Sequence, residues 1–145
     1  MQTTHMKGSP DGQTRIFDRN PRLWFLVDGI GAALSILLAG LILPDFSLQL
    51  GLPVSALWLL ASAAFIPLAY DVWHFIRRSV AGTAFLPKAL RGIALINLSY
   101  VSFSIGLAFF HRGSLTFFGW GYILSEALVI LFLASLEFRA AARLR

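Results

Sequence analysis

Four stretches of this chain are apolar over a length that can cross a bilayer: about Leu23 to Leu43, Val54 to Ile76, Gly92 to Phe110 and Leu115 to Phe138. At about 1.5 Å of rise per residue, a helix over each one reaches across a hydrocarbon core of roughly 30 Å. Hydrocarbon offers no water to complete backbone hydrogen bonds, so spans of this length must be helical. The expected fold is all-α: an integral membrane bundle of four transmembrane helices, up-down-up-down. Of the 145 residues, 57% are hydrophobic and 13% charged, too few polar groups to hydrate a soluble surface and too short a chain for a second domain.

Polar segments punctuate the spans. Residues 1–20 include Gly8, Ser9, Pro10, Asp11 and Gly12 in a row and lack apolar content, which predicts a disordered tail, with the bundle over 21–145. Pro44, Asp45, Gly51 and Pro53 are expected to break the chain after the first span. His111, Arg112 and Gly113 predict a tight third turn, and Arg77 to Arg91 a longer second loop holding Gly82 and Pro87.

Charge fixes the expected topology. Eleven of the twelve Lys and Arg residues fall on one side of this pattern: Lys7, Arg15, Arg19 and Arg22 before the first span, Arg77, Arg78, Lys88 and Arg91 in the second loop, and Arg139, Arg143 and Arg145 at the end. Only Arg112 lies on the other side. Positive residues stay inside, so both termini are expected in the cytoplasm. Trp24 and Trp73 fall near the inner ends of their spans and Trp58 and Trp120 near the outer ends, as amphipathic rings at headgroup level do. The net charge of +5 thus belongs to membrane orientation rather than to nucleic-acid binding.

A cleavable signal peptide is the competing reading of the first span. The run is too long for one, contains Asp28 and is followed by no clear A-x-A site. The absence of cysteine excludes disulfide exchange, thiol catalysis, Cys-ligated zinc and iron–sulfur clusters, and with them the quinone-linked disulfide enzymes that also have four membrane helices. Gly31, Ser35 and Ala39 recur every four residues, a row of small side chains that lets two helix backbones approach closely.

Four of the seven carboxylates, Asp28, Asp71, Glu126 and Glu137, lie within the spans. A charge at the bilayer centre costs at least about 2.5 kcal/mol, so these groups are expected to face protein or water. Helical spacing agrees, since each span carries its polar residues on one stripe: Asp28 with Ser35; Asp71 with His74; Asn97, Tyr100 and Ser104; Tyr122, Glu126 and Glu137. Counted from the inner boundary, Asp28, Asp71 and Asn97 lie roughly 7 to 9 Å deep, His74 about 5 Å, and Glu137 at the rim. The expectation is a polar vestibule open to the cytoplasm, rimmed by Arg77, Arg78, Arg91 and Arg139. Glu126 lies about 18 Å deep, near the midplane and level with Ser35 and Ser104.

Each site has a structural alternative. Asp71 pairing with Arg78, and Asp28 with Arg91 or Arg139, would make the shallow acids a charged rim that only positions helix ends. Glu126 hydrogen-bonded to Tyr100 or Ser104 would specify helix docking. Asp71 and His74 form a D-x-x-H pair on one face, but a di-metal bundle draws on two Glu-x-x-His pairs and only one such histidine exists here. No metal or other cofactor is expected. His74 and His111 are separated by roughly 30 Å of bilayer and cannot ligate one haem.

Asp28, Gly29, Gly31, Ala32 and Ser35, then Gly51 and Pro53, then Leu115, Thr116, Gly119, Tyr122, Glu126 and Glu137 resemble a family of small bacterial four-helix integral membrane proteins of no established activity. The resemblance covers most of Leu23 to Phe138 and implies that Asp28 and Glu126 belong to a shared pattern. The expected location is a bacterial inner (plasma) membrane. From the residues themselves the expected function is binding or transport of an amphipathic or cationic small molecule, with proton-linked exchange at the acids as one form of it, through Asp28, Asp71, His74, Asn97, Tyr100, Glu126 and Glu137. Two alternatives stand beside it. One is an accessory subunit of a larger membrane complex, or a homo-oligomer; the other is a lipid-modifying enzyme using Asp71 and His74 as an acid–base pair.

Overall fold

The computed structural model describes residues 22–77 and 85–143. The tail expected over 1–20, together with Arg78, Gly82 and Arg145, lies outside the described residues. All regular structure in the described residues is helical: α1 (Arg22–Leu37), α2 (Ser47–Leu50), α3 (Val54–Arg77), α4 (Leu86–Phe110) and α5 (Phe117–Arg143). Four helical stretches, Leu23–Leu50, Val54–Arg77, Leu86–Phe110 and Phe117–Arg143, are long and apolar enough to cross a membrane, which makes this a multi-pass membrane protein.

The first stretch does not stop at Pro44. Its chain passes from α1 into a π-helical turn over Leu38–Ile42, closed by the Leu43 N–H on the Leu38 carbonyl, and then into a 3-10 turn over Leu43–Phe46 before α2. Proline is tolerated because it falls in the first turn of the 3-10 segment, where a missing N–H leaves little unsatisfied. The break comes at Gly51, whose φ of 70° ends α2 in the left-handed region. The second loop is also shorter than expected, because Pro87 sits in the first turn of α4 and starts that helix. Lys88 and Arg91 are therefore on helix, not in a loop.

The four long elements pack as two pairs. α1 lies along α3 and α4 along α5, and the pairs meet where α3 touches α4. Among the described residues α1 and α5 barely touch. Apolar clusters close the two ends: Phe25 with Leu86, Leu90, Ile93 and Ala141 at one, and Leu50, Leu52, Leu57, Ala108 and Ile123 at the other. The small-residue row is used inside the chain, since Ala39 is buried against Leu60 and Ala61.

At the second end the loops are stitched together. Thr116 N–H donates to the Leu50 carbonyl at 3.1 Å, and the Ser114 hydroxyl donates to the Gly51 carbonyl at 2.9 Å. Thr116 also donates its hydroxyl to the Gln49 carbonyl. Outward faces carry large apolar side chains, among them Trp58, Ile66, Leu128 and Phe132, a surface suited to acyl chains and not to water. Arg77 lies over the exposed Trp73 ring at 4.7 Å, pairing a cation with an aromatic at the opposite end of the bundle.

Candidate functional site

Between the two apolar ends lie two polar groups, each assembled from several helices. In the first, Asn97 of α4 donates from Nδ2 to Asp28 Oδ1 of α1 at 2.9 Å and lies 3.5 Å from Glu137 Oε2 of α5. Asp71 of α3 stands beside Asp28, its Cβ packed on the face of Gly29. Asp28, Asp71, Asn97 and Glu137 are all buried. Glu137, expected at the rim, is thus inside the bundle, because α5 continues to Arg143 and carries Ala140 and Ala141 over it into the end cluster.

Acceptors outnumber donors in this group. Three carboxyls present six oxygens, whereas Asn97 has two N–H bonds to give. Among the described residues Asp28 Oδ2 and both oxygens of Asp71 accept no bond from an N–H or hydroxyl donor, and the two carboxyls face each other closely enough for a proton on one to bridge to the other; Asp71 is only 1% exposed. Among the described residues neither acid has an arginine partner; Arg78, the partner expected for Asp71, lies outside them.

In the second group the Tyr100 hydroxyl donates to Glu126 Oε1 at 3.1 Å, linking α4 to α5. Ser35 of α1 and Tyr122, one turn before Glu126 in α5, face the same carboxyl. Glu126 Oε2 and the Tyr122 hydroxyl are without partners. Of the two partners expected for Glu126, Tyr100 is the one that reaches it; Ser104 is buried with its hydroxyl unpaired.

A cavity of about 280 Å³ joins the two groups. Asp28 and Asn97 line it from the first, and Ser35, Tyr100, Tyr122 and Glu126 from the second. Pro67 forms part of its wall. Lacking an N–H, Pro67 offers nothing to the Ala63 carbonyl one turn earlier, an interruption that membrane helices accept where neighbours compensate. The sequence pointed to neither Pro67 nor Tyr122 as a site residue. Tyr122 was readable from its place four residues before Glu126, on the same helix face; for Pro67 only a proline inside an apolar span gave a signal.

His74 is not brought to this site. Its Nδ1–H donates to the Tyr70 carbonyl at 2.9 Å, and its ring stacks on Tyr70 at 4.1 Å, with Phe25 and Phe85 at 5.6 and 5.8 Å. Asp71 receives no hydrogen bond from it. Tyr70 in turn donates to the Ala89 carbonyl at 3.1 Å, holding α3 against α4. Among the described residues no three His, Asp or Glu side chains converge as metal ligands.

The donor shortage predicts an unusual outcome for one substitution. Asp71→Asn supplies an amide beside Asp28 and removes a buried acid, so stability should rise by about 1 kcal/mol, the worth of one hydrogen bond gained. Thermal unfolding in mild detergent checks this; a lower midpoint would mean that Asp71 is satisfied by a donor beyond the groups described.

Fold and site together define a multi-pass helical membrane protein with an acidic internal cavity. Compared with known protein families, characterised proteins and solved structures, the chain matches none, so its family is left open and the functional reading rests on the site.

Proposed function

We propose that this protein binds or transports a cationic or amphipathic small molecule in the cavity between Asp28 and Glu126. The observation that carries the reading is the chemistry of the lining. Two carboxyls, each with one oxygen lacking a donor, face a space that among the described residues is lined by no Lys, Arg or His. Such a space is complementary to positive charge and to N–H or O–H groups, and hostile to anions. Its remaining walls, Leu34, Ala64, Leu133 and their neighbours, suit an apolar body.

In this reading the protein crosses a bacterial plasma membrane four times, up-down-up-down, with both termini in the cytoplasm; the lysine and arginine distribution supports that orientation. Proton exchange follows from the same groups. A proton delivered to Glu126 or Asp28 cancels the negative charge that holds a cation, so ligand and proton compete for one site.

The test uses hexylammonium as probe with the protein in lipid nanodiscs. Asp28→Asn with Glu126→Gln preserves shape while removing both charges, and binding should weaken at least tenfold, about 1.4 kcal/mol. Unchanged binding would remove the reading.

A further inference from the structure

The cavity is not sealed on all sides. α1 and α5 are neighbours that barely touch, and the cavity lies under the seam between them. Leu34 of α1, Leu38 of the π-helical turn that follows it, and Val129 and Leu133 of α5 line it along this seam. Leu34 is 54% and Val129 59% exposed, on surfaces that meet acyl chains when the helices span a bilayer. The π-helical turn begins at Leu38, on this edge of the cavity, and inserts one extra residue into α1 where it passes the seam. Single π turns of this kind concentrate at functional sites in helices.

Volume limits what can enter. At about 280 Å³ the cavity falls just below the roughly 300 Å³ at which pockets begin to enclose a drug-sized molecule. A head group and a few carbons fit; anything longer must leave through the mouth, where Leu34, Leu38, Val129 and Leu133 are apolar. Inside, Asp28 Oδ2, Glu126 Oε2 and the Tyr122 hydroxyl complete no well-aligned hydrogen bond among the described residues, although Ser35 and Tyr122 stand beside Glu126 and Asp71 beside Asp28; Asp28 is almost wholly buried. A head that satisfies several acceptors and balances acid charge is an ammonium with N–H donors. It carries three of them at one point, like the lysine side chain.

We propose that the seam between α1 and α5 is a lateral portal through which a single-chain primary amine enters from the bilayer, its ammonium seated between Asp28 and Glu126 and its chain left among the lipids. The inference rests on the binding reading above and adds to it the route and the ligand class. Entry from the membrane needs no opening at either end of the bundle, where the apolar clusters are closed. A chain left in lipid also keeps the hydrophobic contacts that it had before binding, so the head alone changes surroundings.

The absence of native cysteine makes the test clean. Leu34→Cys, at the mouth, and Leu59→Cys, on an exposed part of α3 away from the cavity, are labelled after folding with a bulky maleimide in lipid nanodiscs. Dodecylammonium association is then followed against empty discs. The label at position 34 should slow association at least tenfold and the label at 59 should leave it unchanged. Equal rates for the two labelled proteins, with binding still lost in Asp28→Asn/Glu126→Gln, would overturn the portal and leave the binding reading in place. Retained binding in the double variant would overturn both. Dodecyltrimethylammonium carries the charge without the N–H donors and should bind at least tenfold more weakly than dodecylammonium; equal affinity would overturn the primary-amine assignment.

Discussion

Replacing Asn97 with leucine should lower the stability of the folded bundle by about 3 kcal/mol. The amide donates to Asp28 on α1 at 2.9 Å and approaches Glu137 on α5 at 3.5 Å, so one α4 side chain ties together three helices. Its loss leaves Asp28 with no donor on either oxygen, beside an Asp71 that already has none. Each buried polar group stranded in this way costs about 1–3 kcal/mol. Leucine keeps asparagine's branching but ends in bulkier methyls, so some overpacking adds to the loss, and Asn97→Ala, which removes the donor without added bulk, should also destabilise. Single interhelical hydrogen bonds in membrane proteins average only about 0.6 kcal/mol. Asn97 should exceed that average because acceptors already outnumber donors around it and no spare donor remains to take its place. Reversible unfolding in mixed detergent micelles measures the change. In the Asn97→Leu/Asp28→Leu double variant part of the loss should return, since the stranded acceptor goes with its donor. A single-variant cost below about 0.5 kcal/mol would mean that this amide does not hold the helices together.

That polar layer was largely legible in the sequence. Hydrocarbon penalises an outward acid on every helix alike, so Asp28, Asp71, Asn97 and Glu137 had to turn inward, and side chains at matching depths on neighbouring helices had to meet. Tyr100 and Glu126 followed from the same argument. Three features were not legible, each for its own reason. His74 follows Asp71 by three residues, which rotates it about 60° around the helix from that acid. Tyr70, one turn earlier on the same helix, and Phe25 and Phe85, from other parts of the chain, enclose its ring there. The π and 3-10 turns through Leu38–Phe46 arise because a proline inside an apolar run can end a helix or shift its register, and hydropathy alone does not distinguish the two. The seam between α1 and α5 was hidden because all four spans carry similar inward stripes. Stripes specify which face turns in, but not which neighbours press together.

The cavity follows from this imbalance in packing. Close approach occurs elsewhere in the bundle: where the pairs meet, Gly92 of α4 lies so near the Tyr70 hydroxyl of α3 that a Cβ there would collide with it, and within the first pair Gly40 approaches the Ala61 methyl. Between α1 and α5 the helices approach at Gly31, which faces Leu133, while Leu34 and Ser35 on one side and Glu126 and Val129 on the other line the space beside that contact.

Substituting alanine at Gly51 should destabilise the protein by about 3 kcal/mol through two independent effects. The residue has φ of 70°, and a non-glycine residue in the left-handed region costs about 1–2 kcal/mol. A Cβ at this position would also run into the Ser114 carbonyl, with Thr116 N close behind it. Those are backbone atoms, held by the Thr116 bond to the Leu50 carbonyl and by the Ser114 bond to Gly51 itself, so they cannot rotate aside as a side chain would. Overpacking of this sort costs about 1–3 kcal/mol. Gly113 supplies the control. It lies in the adjoining turn, has no positive φ, and a Cβ added there meets nothing within 4 Å, so Gly113→Ala should leave the unfolding midpoint where it is. A Gly51→Ala protein as stable as Gly113→Ala would mean that the two loops are not locked together as described. If the loss is as large as expected, it should appear as separation of the α1–α3 pair from the α4–α5 pair, because these loop contacts join α2 to the start of α5 across the end of the bundle, and faster hydrogen exchange at the Thr116 amide, which bonds the Leu50 carbonyl, would report it.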